Sequence, residues 1–290
     1  MSQKISAYFS LIKFSHTIFA MPFALIGAVL GYKNGHFEQV PWELFGFVVL
    51  CMFFARSAAM SFNRYADAKI DSLNPRTKNR EIPKGVYKPA QVLFFTVLNA
   101  VFFITTTYFI NSLVFYLSPV ALLVILGYSY AKRFTFLAHV WLGVALALAP
   151  LGAFMVFSAS FSWIPIPFSL IVIFWVSGFD VIYSTQDAEF DQEQGLNSIP
   201  SLVGVKNALN IAFLLHLLAI TGTIVTGFIF KWHFAYWMGA VIFSLMLIWE
   251  HVVVRKNHNQ ETVNMAFATI NSYAGLLYGI AVIVAVLLAN

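Results

Sequence analysis

Charged side chains are scarce in this chain of 290 residues. They make up 10% of the sequence, whereas a soluble globular domain carries roughly 25%. Hydrophobic side chains make up 60%. This composition excludes an ordinary soluble domain and indicates an integral membrane protein.

Sequence features of several other protein classes are also missing. The single cysteine, Cys51, excludes an intramolecular disulfide and any metal site built from several cysteines. There is no glycine-rich phosphate loop, no dinucleotide-binding fingerprint and no nucleophile elbow. Continuous apolar runs stand where a β-barrel would show alternation. The net charge of +5 does not indicate a nucleic-acid partner, because membrane topology accounts for it.

Nine apolar runs are long enough to cross a bilayer, since a transmembrane helix needs about 20 residues. We predict an all-α integral membrane protein with nine transmembrane helices around a central cavity, forming a single domain over residues 1–290. The runs cover residues 16–33, 43–66, 89–110, 112–130, 138–157, 165–187, 206–229, 234–254 and 264–288.

The N-terminal segment is predicted to stay on the mature protein. Lys4 and Lys13 precede the first apolar run as in a signal peptide, but no small-residue cleavage site follows. The stretch "ISAYFSLIKF" is expected to lie along the membrane surface as a short amphipathic helix. We therefore expect a multi-pass protein of the bacterial inner (cytoplasmic) membrane.

Basic residues are distributed unevenly between the predicted loops. With the N-terminus in the cytoplasm, Lys33 and Lys231 lie outside and Arg56 lies within the second helix. The other lysines and arginines of the 17 then fall on the cytoplasmic side. The positive-inside rule favours this N-in, C-out orientation.

The second apolar run ends in the acidic sequence "NRYADAKID". Asn63, Asp67 and Asp71 are spaced four residues apart, so a continuous helix would place them on one face. The sixth run ends in "DVIYSTQDAEFD", which contributes Asp180, Asp187 and Asp191.

The two acidic segments echo each other. Asp67 and Asp187 are 120 residues apart, and so are Asp71 and Asp191. Each segment ends an even-numbered helix on the same membrane side and is followed by an Ile-Pro in a polar loop. This pattern predicts two pseudo-repeated halves related by an axis along the membrane normal.

Aspartates at the carboxyl end of a helix oppose the helix dipole, so a compensating cation is expected. Mg²⁺ suits this role because it prefers carboxylate oxygens and is commonly completed by substrate phosphates. The alternative is a set of solvated acids at headgroup level, paired with the neighbouring basic residues Lys69, Arg76, Lys78 and Arg80.

Basic and hydroxyl groups near these acids are candidates for a diphosphate site. The first cytoplasmic loop carries Arg76, Lys78 and Arg80. The segment "YSYAKRFT" carries Tyr128 and Lys132 four residues apart, a spacing that lets both face one cavity. Positive-inside anchoring is the alternative explanation of both groups.

Arg56 lies about 10 Å deeper than Asn63 along the same helix. A buried arginine is costly in a membrane and requires a partner. Two explanations remain open: a structural ion pair with Asp180, and a pocket that grips a substrate carboxylate. His16, His139 and His216 each lie alone on or beside apolar helices, and we predict that they pack or cap.

These segments resemble the UbiA superfamily of intramembrane prenyltransferases along nearly the whole chain. "NRYADAKID" is similar to its first acidic motif, "DVIYSTQDAEFD" to its second, and "YSYAKRFT" to its Tyr-x-x-x-Lys segment. "FSHTIFAMPFALIGA" is similar to its first helix.

The resemblance implies Mg²⁺-dependent transfer of a polyprenyl chain from its diphosphate to an aromatic ring, within the lipid bilayer. By motif position, Asn63, Asp67, Asp187 and Asp191 would bind the metal, and Asp71 would join the catalytic aspartates. Implied substrate-binding residues are Arg56, Asn63, Arg76, Lys78, Arg80, Tyr128, Lys132, Asp180 and Tyr183.

The acceptor expected from the resemblance is an aromatic acid, with 4-hydroxybenzoate in respiratory quinone (ubiquinone) synthesis favoured. A dihydroxynaphthoate in the futalosine branch of menaquinone synthesis is the alternative. A secondary transporter is a hypothesis of another class, but it would place its acids at broken helices near the bilayer midplane. A non-catalytic scaffold would explain the composition and not the paired motifs.

Overall fold

The computed structural model of the chain describes Leu11 and residues 17–35 and 37–289. All of its regular elements in this part are helices. Of the predicted surface helix "ISAYFSLIKF" only Leu11, which is fully buried, is among the described residues, and His16 lies outside them, so both predictions stay open. The long helices are α1 (Thr17–Asn34), α2 (Trp42–Ala66), α4 (Pro89–Tyr108), α5 (Ser112–Ala131), α6 (Ala138–Ser158), α7 (Ile166–Ser184), α9 (Ile199–Phe230), α10 (Phe234–Lys256) and α12 (Asn271–Leu288).

Short helical segments interrupt the chain on the side that carries the acidic motifs. They are α3 (Ala68–Leu73), a 3-10 turn (Thr185–Asp187), α8 (Ala188–Glu193), α11 (Gln260–Met265) and a π-helical turn (Ala266–Ile270).

Eight helices within the described residues are long and apolar enough to cross a membrane. α9 begins at Ile199, but its backbone leaves helical geometry at Gly204 (φ 76°, ψ 160°), and the helix that follows this kink matches the seventh predicted run, 206–229. Ser198 caps the start of α9 by accepting a hydrogen bond from Ser201 N–H, and Pro200 stands in the first turn, where its missing N–H costs nothing.

The helices pack as two rings that share α1 and α6. One ring runs through α1, α6, α7, α9, α10 and α12, and the other through α1, α2, α4, α5 and α6. The first ring is filled by buried aromatic side chains, among them Trp175, Tyr236 and Tyr278. The second ring encloses a cavity. The predicted central cavity therefore lies off-centre, between helices of the N-terminal half.

A buried polar network lies in the filled ring, where the sequence predicted only packing. Asn271 Nδ2 donates to Glu250 Oε1 at 2.8 Å, and Trp175 Nε1 donates to Asn271 Oδ1 at 2.8 Å. His216 Nδ1 lies 3.0 Å from His251 Nε2 and 3.6 Å from Glu250 Oε2. His216 is buried, as its predicted packing role requires, but it is not isolated, because residues from α7, α10 and α12 meet around it.

Candidate active site

Both acidic motifs sit where a long helix breaks. α2 ends at Ala66, Asp67 has φ −94° and ψ 8°, and the six-residue helix α3 follows. At the second motif Asp187 has φ −108° and ψ 7°, followed by the six-residue helix α8. The first motif is therefore not one continuous helix, but Asn63, Asp67 and Asp71 still face the same side, as their spacing predicted. The matching backbone at the two aspartates is local support for the predicted repeat.

In the first motif, an amide and a guanidinium hold Asp67. Asn63 Nδ2 donates to Asp67 Oδ2 at 2.9 Å, and Arg133 Nη2 lies 3.2 Å from Asp67 Oδ1. Burial, together with the nearby Asp71 carboxylate, raises the pKa of Asp67 above its ordinary value, and Arg133 offsets part of this shift. Asp71 is itself buried and accepts two hydrogen bonds from Arg80 Nη1, at 2.8 and 2.9 Å.

In the second motif, Asp187 is held by the loop that follows the first motif. Arg76 Nε donates to Asp187 Oδ1 at 2.8 Å and its Nη2 donates to Oδ2, which makes a two-pronged ion pair. Asn74 Nδ2 also donates to Oδ1, at 2.9 Å, and Arg76 Nη1 donates to Tyr183 Oη at 3.0 Å. Burial lowers the pKa of Arg76, but the hydrogen bonds and charge of Asp187 outweigh it and raise the pKa.

The last aspartate, Asp191, pairs with Lys132. Lys132 Nζ lies 3.0 Å from Asp191 Oδ2, and the Asp191 side chain is almost fully buried. Burial alone would lower the pKa of Lys132, but the carboxylates of Asp191 and Asp180 raise it. Asp67, Asp71, Asp187 and Asp191 therefore each have one arginine or lysine partner. Three of them, Asp71, Asp187 and Asp191, are buried, so the alternative of solvated headgroup-level acids is wrong for these.

The paired groups surround one polar mouth, which leads into an apolar cavity. The mouth has a volume of about 140 Å³, and its lining includes Asn63, Asp67, Asp71, Arg76, Arg80, Tyr128, Lys132, Asp180, Tyr183, Asp187 and Asp191. Tyr128 and Lys132 share this cavity, as their spacing predicted. The apolar cavity has a volume of about 600 Å³, and it reaches from Asn63 to Val48 on α2. These fifteen residues of helix span about 22 Å, most of a bilayer core.

Arg56 and Asp180 both line the apolar cavity but do not pair with each other. Arg56 Nε is buried without a hydrogen-bond partner in the described part of the chain. Asp180 Oδ2 instead lies 2.7 Å from Nδ1 of His139, whose side chain is fully buried. The predicted Arg56–Asp180 ion pair is therefore wrong. His139 is buried and accepts the backbone N–H of Ile199 at the start of α9, which agrees with its predicted packing or capping role, although it also pairs with Asp180.

Two further placements differ from the sequence prediction. Lys78 is exposed and does not line the mouth, because its loop turns Arg76 and Arg80 inward and leaves Lys78 outside. Asn74 and Arg133 do line the mouth, although we had assigned them no role. Their signal in the sequence was position alone, since each lies within three residues of a predicted site residue.

The donor set fits Mg²⁺ in its chemistry. Five carboxylates and the side chains of Asn63 and Asn74 surround the mouth, and oxygen is the ligand atom that Mg²⁺ prefers. Within the described residues, no three acidic, histidine or cysteine side chains cluster closely enough to hold a metal by themselves. This agrees with the usual Mg²⁺ site, in which one or two carboxylates are completed by substrate phosphates and water.

Solved structures share this fold. A UbiA homologue from Aeropyrum pernix K1 in its apo form is 28% identical, with a TM-score of 0.84, and the alignment covers 93% of this chain and 97% of that one. A UbiA homologue from Archaeoglobus fulgidus bound to GPP and Mg²⁺ is 17% identical, with a TM-score of 0.72, covering 96% and 99% of the two chains.

Sequence relatives share one name. The 4-hydroxybenzoate octaprenyltransferase of Vesicomyosocius okutanii is 30% identical over 247 residues, covering 82% of this chain and 86% of that protein. The 4-hydroxybenzoate octaprenyltransferase of Vibrio campbellii is 26% identical, covering 98% and 99%. Residues 20–273 match the UbiA prenyltransferase family. With its two acidic motifs facing each other across one polar mouth, this multi-pass membrane protein belongs to the UbiA prenyltransferase family.

Proposed function

We propose that this protein transfers a polyprenyl chain from polyprenyl diphosphate to the ring carbon ortho to the hydroxyl of an aromatic acid. The observation that carries the proposal is the polar mouth, where five acidic and four basic side chains meet at the entrance of an apolar cavity. A diphosphate with a long apolar tail has the same two-part character. The single domain of residues 1–290 then acts as one transferase unit.

The basic partners of the aspartates support binding of the diphosphate. Arg76, Arg80, Lys132 and Arg133 already lie at the mouth, and guanidinium groups suit phosphate oxygens. The Asn63, Asp67, Asp187 and Asp191 side chains would hold Mg²⁺, which when bound neutralises charge on the departing diphosphate. Asp71 acts beside them by orienting Arg80, with which it pairs.

The apolar cavity supports binding of the prenyl tail. Its lining is mostly aliphatic, and it excludes water from the carbon at which the diphosphate leaves. Tyr128 and Tyr183 lie where the mouth meets the cavity. Their ring faces can stabilise positive charge that develops on the allylic carbon.

Arg56 supports an acceptor that carries a carboxylate. Arg56 lines the cavity and its Nε has no hydrogen-bond partner in the described part of the chain, so a neutral ring in this cavity would leave the guanidinium charge unsatisfied. The names of the relatives favour 4-hydroxybenzoate, and hence a role in ubiquinone biosynthesis. A dihydroxynaphthoate, as in menaquinone biosynthesis, is also an aromatic acid and is the competing acceptor.

The membrane placement belongs to the same proposal. Nine transmembrane helices with the N-terminus inside would put the mouth at the cytoplasmic face of the bacterial inner membrane, where soluble aromatic acids are available. A secondary transporter is disfavoured, because the acids collect at one end of the helices and are paired there.

The proposal is tested with purified protein in lipid nanodiscs, radiolabelled prenyl diphosphate and a panel of aromatic acids that includes both acceptors. We expect a Mg²⁺-dependent product whose new carbon–carbon bond, located by mass spectrometry and NMR, lies ortho to the hydroxyl. Equal turnover of 4-hydroxybenzoate and of a matching phenol that lacks the carboxylate would contradict the assigned acceptor class. Release of diphosphate without any prenylated ring would contradict the reaction itself.

A further inference from the structure

Asp180 and His139 form a pair beside the residues that are proposed to bind the two substrates. His139 Nδ1 lies 2.7 Å from Asp180 Oδ2, and the histidine is fully buried between α6 and α7. The two helices come this close because Gly143 lies one turn from His139. A Cβ atom at Gly143 would lie 2.6 Å from the carbonyl oxygen of Ile173 on α7, so any larger residue would push the pair apart.

The other nitrogen of His139 fixes where its proton lies. The backbone N–H of Ile199 donates to Nε2 at 3.3 Å, and this N–H is at the first position of α9, where no intrahelical acceptor exists. Since Nε2 must present a lone pair to Ile199, the ring proton lies on Nδ1 and is donated to Asp180. His139 thus acts as a fixed hydrogen-bond donor to the carboxylate.

Asp180 also lines the mouth, but unlike Asp67, Asp71, Asp187 and Asp191 it has no lysine or arginine partner within the described residues. His139 is its one hydrogen-bond partner there. Other charged or titratable groups around it are Arg56 on α2, Tyr128 and Lys132 on α5, and Tyr183 on α7. Lys132 is committed to Asp191. A carboxylate oxygen of Asp180 therefore remains available to a substrate.

The position of Asp180 suits the acceptor ring. It lines both the mouth and the apolar cavity. Asp180 is seven residues from Asp187 along the chain, which places it about 10 Å deeper than the metal-binding end of the mouth. Arg56 is likewise seven residues from Asn63 along α2, so Arg56 and Asp180 lie at similar depths. A ring whose carboxylate is held by Arg56 would lie beside Asp180, with the departing diphosphate towards the mouth.

We propose that Asp180 accepts the ring proton that is lost during prenyl transfer and that His139 is the positioning residue that presents its carboxylate. This inference rests on the proposed function. The prenyl C1–O bond breaks and its electron pair leaves with the diphosphate, while a ring π pair forms the new C–C bond. The C–H electron pair at that carbon then restores the aromatic ring, and the proton passes to Asp180 and from there to water.

The test compares the aromatic acid with its analogue deuterated at the reacting carbon. In Asp180→Asn the ring proton loses its acceptor, so proton loss becomes rate-limiting. We expect turnover to fall on the order of 10²-fold, the usual contribution of a general base, with a larger primary isotope effect than in the wild type. An isotope effect equal to that of the wild type would overturn the inference. If the wild type forms no prenylated ring, the proposed function itself has failed.

Two substitutions of His139 separate positioning from folding. An Asn side chain can place its amide N–H near Nδ1, whereas a Gln side chain reaches towards Nε2. We expect His139→Asn to keep most turnover and a wild-type isotope effect, and His139→Gln to reproduce the raised isotope effect of Asp180→Asn. His216 is another buried histidine and lines neither cavity, so His216→Asn serves as the control for folding. Equal isotope effects in the Asn and Gln variants would contradict the positioning role.

Discussion

Arg76 and Asp187 join the two acidic motifs through a two-pronged ion pair across 111 residues of sequence. Arg76 follows the first motif, whereas Asp187 belongs to the second. The mouth is therefore one structural unit, and a change on one side is transmitted to the other.

The first prediction measures this coupling. Arg76→Gln leaves a largely buried carboxylate without its charged partner, so it should lower the thermal unfolding midpoint of the metal-free protein. Adding Asp187→Asn should recover part of the loss, with a coupling free energy of roughly 1–3 kcal/mol. Arg255→Gln removes an arginine that bonds Leu209 and Asn210, away from the mouth, and should show no coupling to Asp187→Asn. Additive midpoints in the double variant would contradict the bridge.

The helical architecture and the composition of the mouth could be predicted from the sequence, because both depend on local patterns. Apolar run length marks the spanning helices, and four-residue spacing marks side chains that meet. Asp67 lies in the mouth, as its spacing from Asn63 and Asp71 predicts, even though the helix breaks at this residue.

The pairing of individual side chains could not be predicted in the same way. Arg56 and Asp180 have opposite charges and lie at similar depths. Asp180 nevertheless pairs with His139, because α6 packs closely against α7 at Gly143. The Glu250 network needs side chains from four helices, α7, α9, α10 and α12. Pairing depends on ångström-scale packing between helices, and hydropathy and spacing do not specify that packing.

The second prediction concerns membrane topology. Residues 72–88 and 192–204 should lie in the cytoplasm and Asn290 outside, as the distribution of basic residues indicates. In a Cys51→Ala background, single cysteines at the exposed positions Lys78 and Ser160 provide opposite reporters. A membrane-impermeant maleimide added to intact spheroplasts should label Ser160→Cys and spare Lys78→Cys. The reverse labelling would contradict the N-in orientation and place the mouth outside.

The third prediction tests the role of Arg56. If its guanidinium binds the acceptor carboxylate, Arg56→Met removes a charged hydrogen bond while it keeps an apolar stem of similar length. Such bonds contribute about 1.5–3 kcal/mol, so KM for the aromatic acid should rise on the order of 10- to 100-fold. KM for the prenyl diphosphate should change little. Equal increases in both, together with less folded protein, would instead indicate a structural arginine.

The fourth prediction follows from the raised pKa of Asp67. Mg²⁺ binds the carboxylate and not the acid, so affinity should fall as pH decreases, starting at a higher pH than for an ordinary aspartate. Arg133 lowers the pKa of Asp67, so Arg133→Gln should raise it further and move the loss of Mg²⁺ affinity to still higher pH. Calorimetric Mg²⁺ titrations across pH measure this shift. Arg255→Gln should leave the pH profile unchanged, and an identical profile for Arg133→Gln would contradict the role of Asp67 as a metal ligand.

The last prediction asks whether the two motifs serve one site. Asp67→Asn and Asp191→Asn each remove a charged oxygen ligand but keep nearly the same shape, so the fold should survive. Removal of one electrostatic group from a preorganised site costs roughly 10²–10³ in turnover in other enzymes, and we expect a loss of that order from each variant. Raising the Mg²⁺ concentration should partly restore turnover, because weakened metal affinity contributes to the defect.

The double variant carries the decisive comparison. If Asp67 and Asp191 hold parts of one metal–diphosphate assembly, the first substitution already disables it, and the second should add much less than its separate effect. Turnover is measured against Mg²⁺ concentration for the wild type, both single variants and the double variant, at matched amounts of folded protein. Multiplicative losses would indicate two independent sites. Near-normal turnover of both single variants at low Mg²⁺ would return these aspartates to a purely structural role, as partners of Arg133 and Lys132.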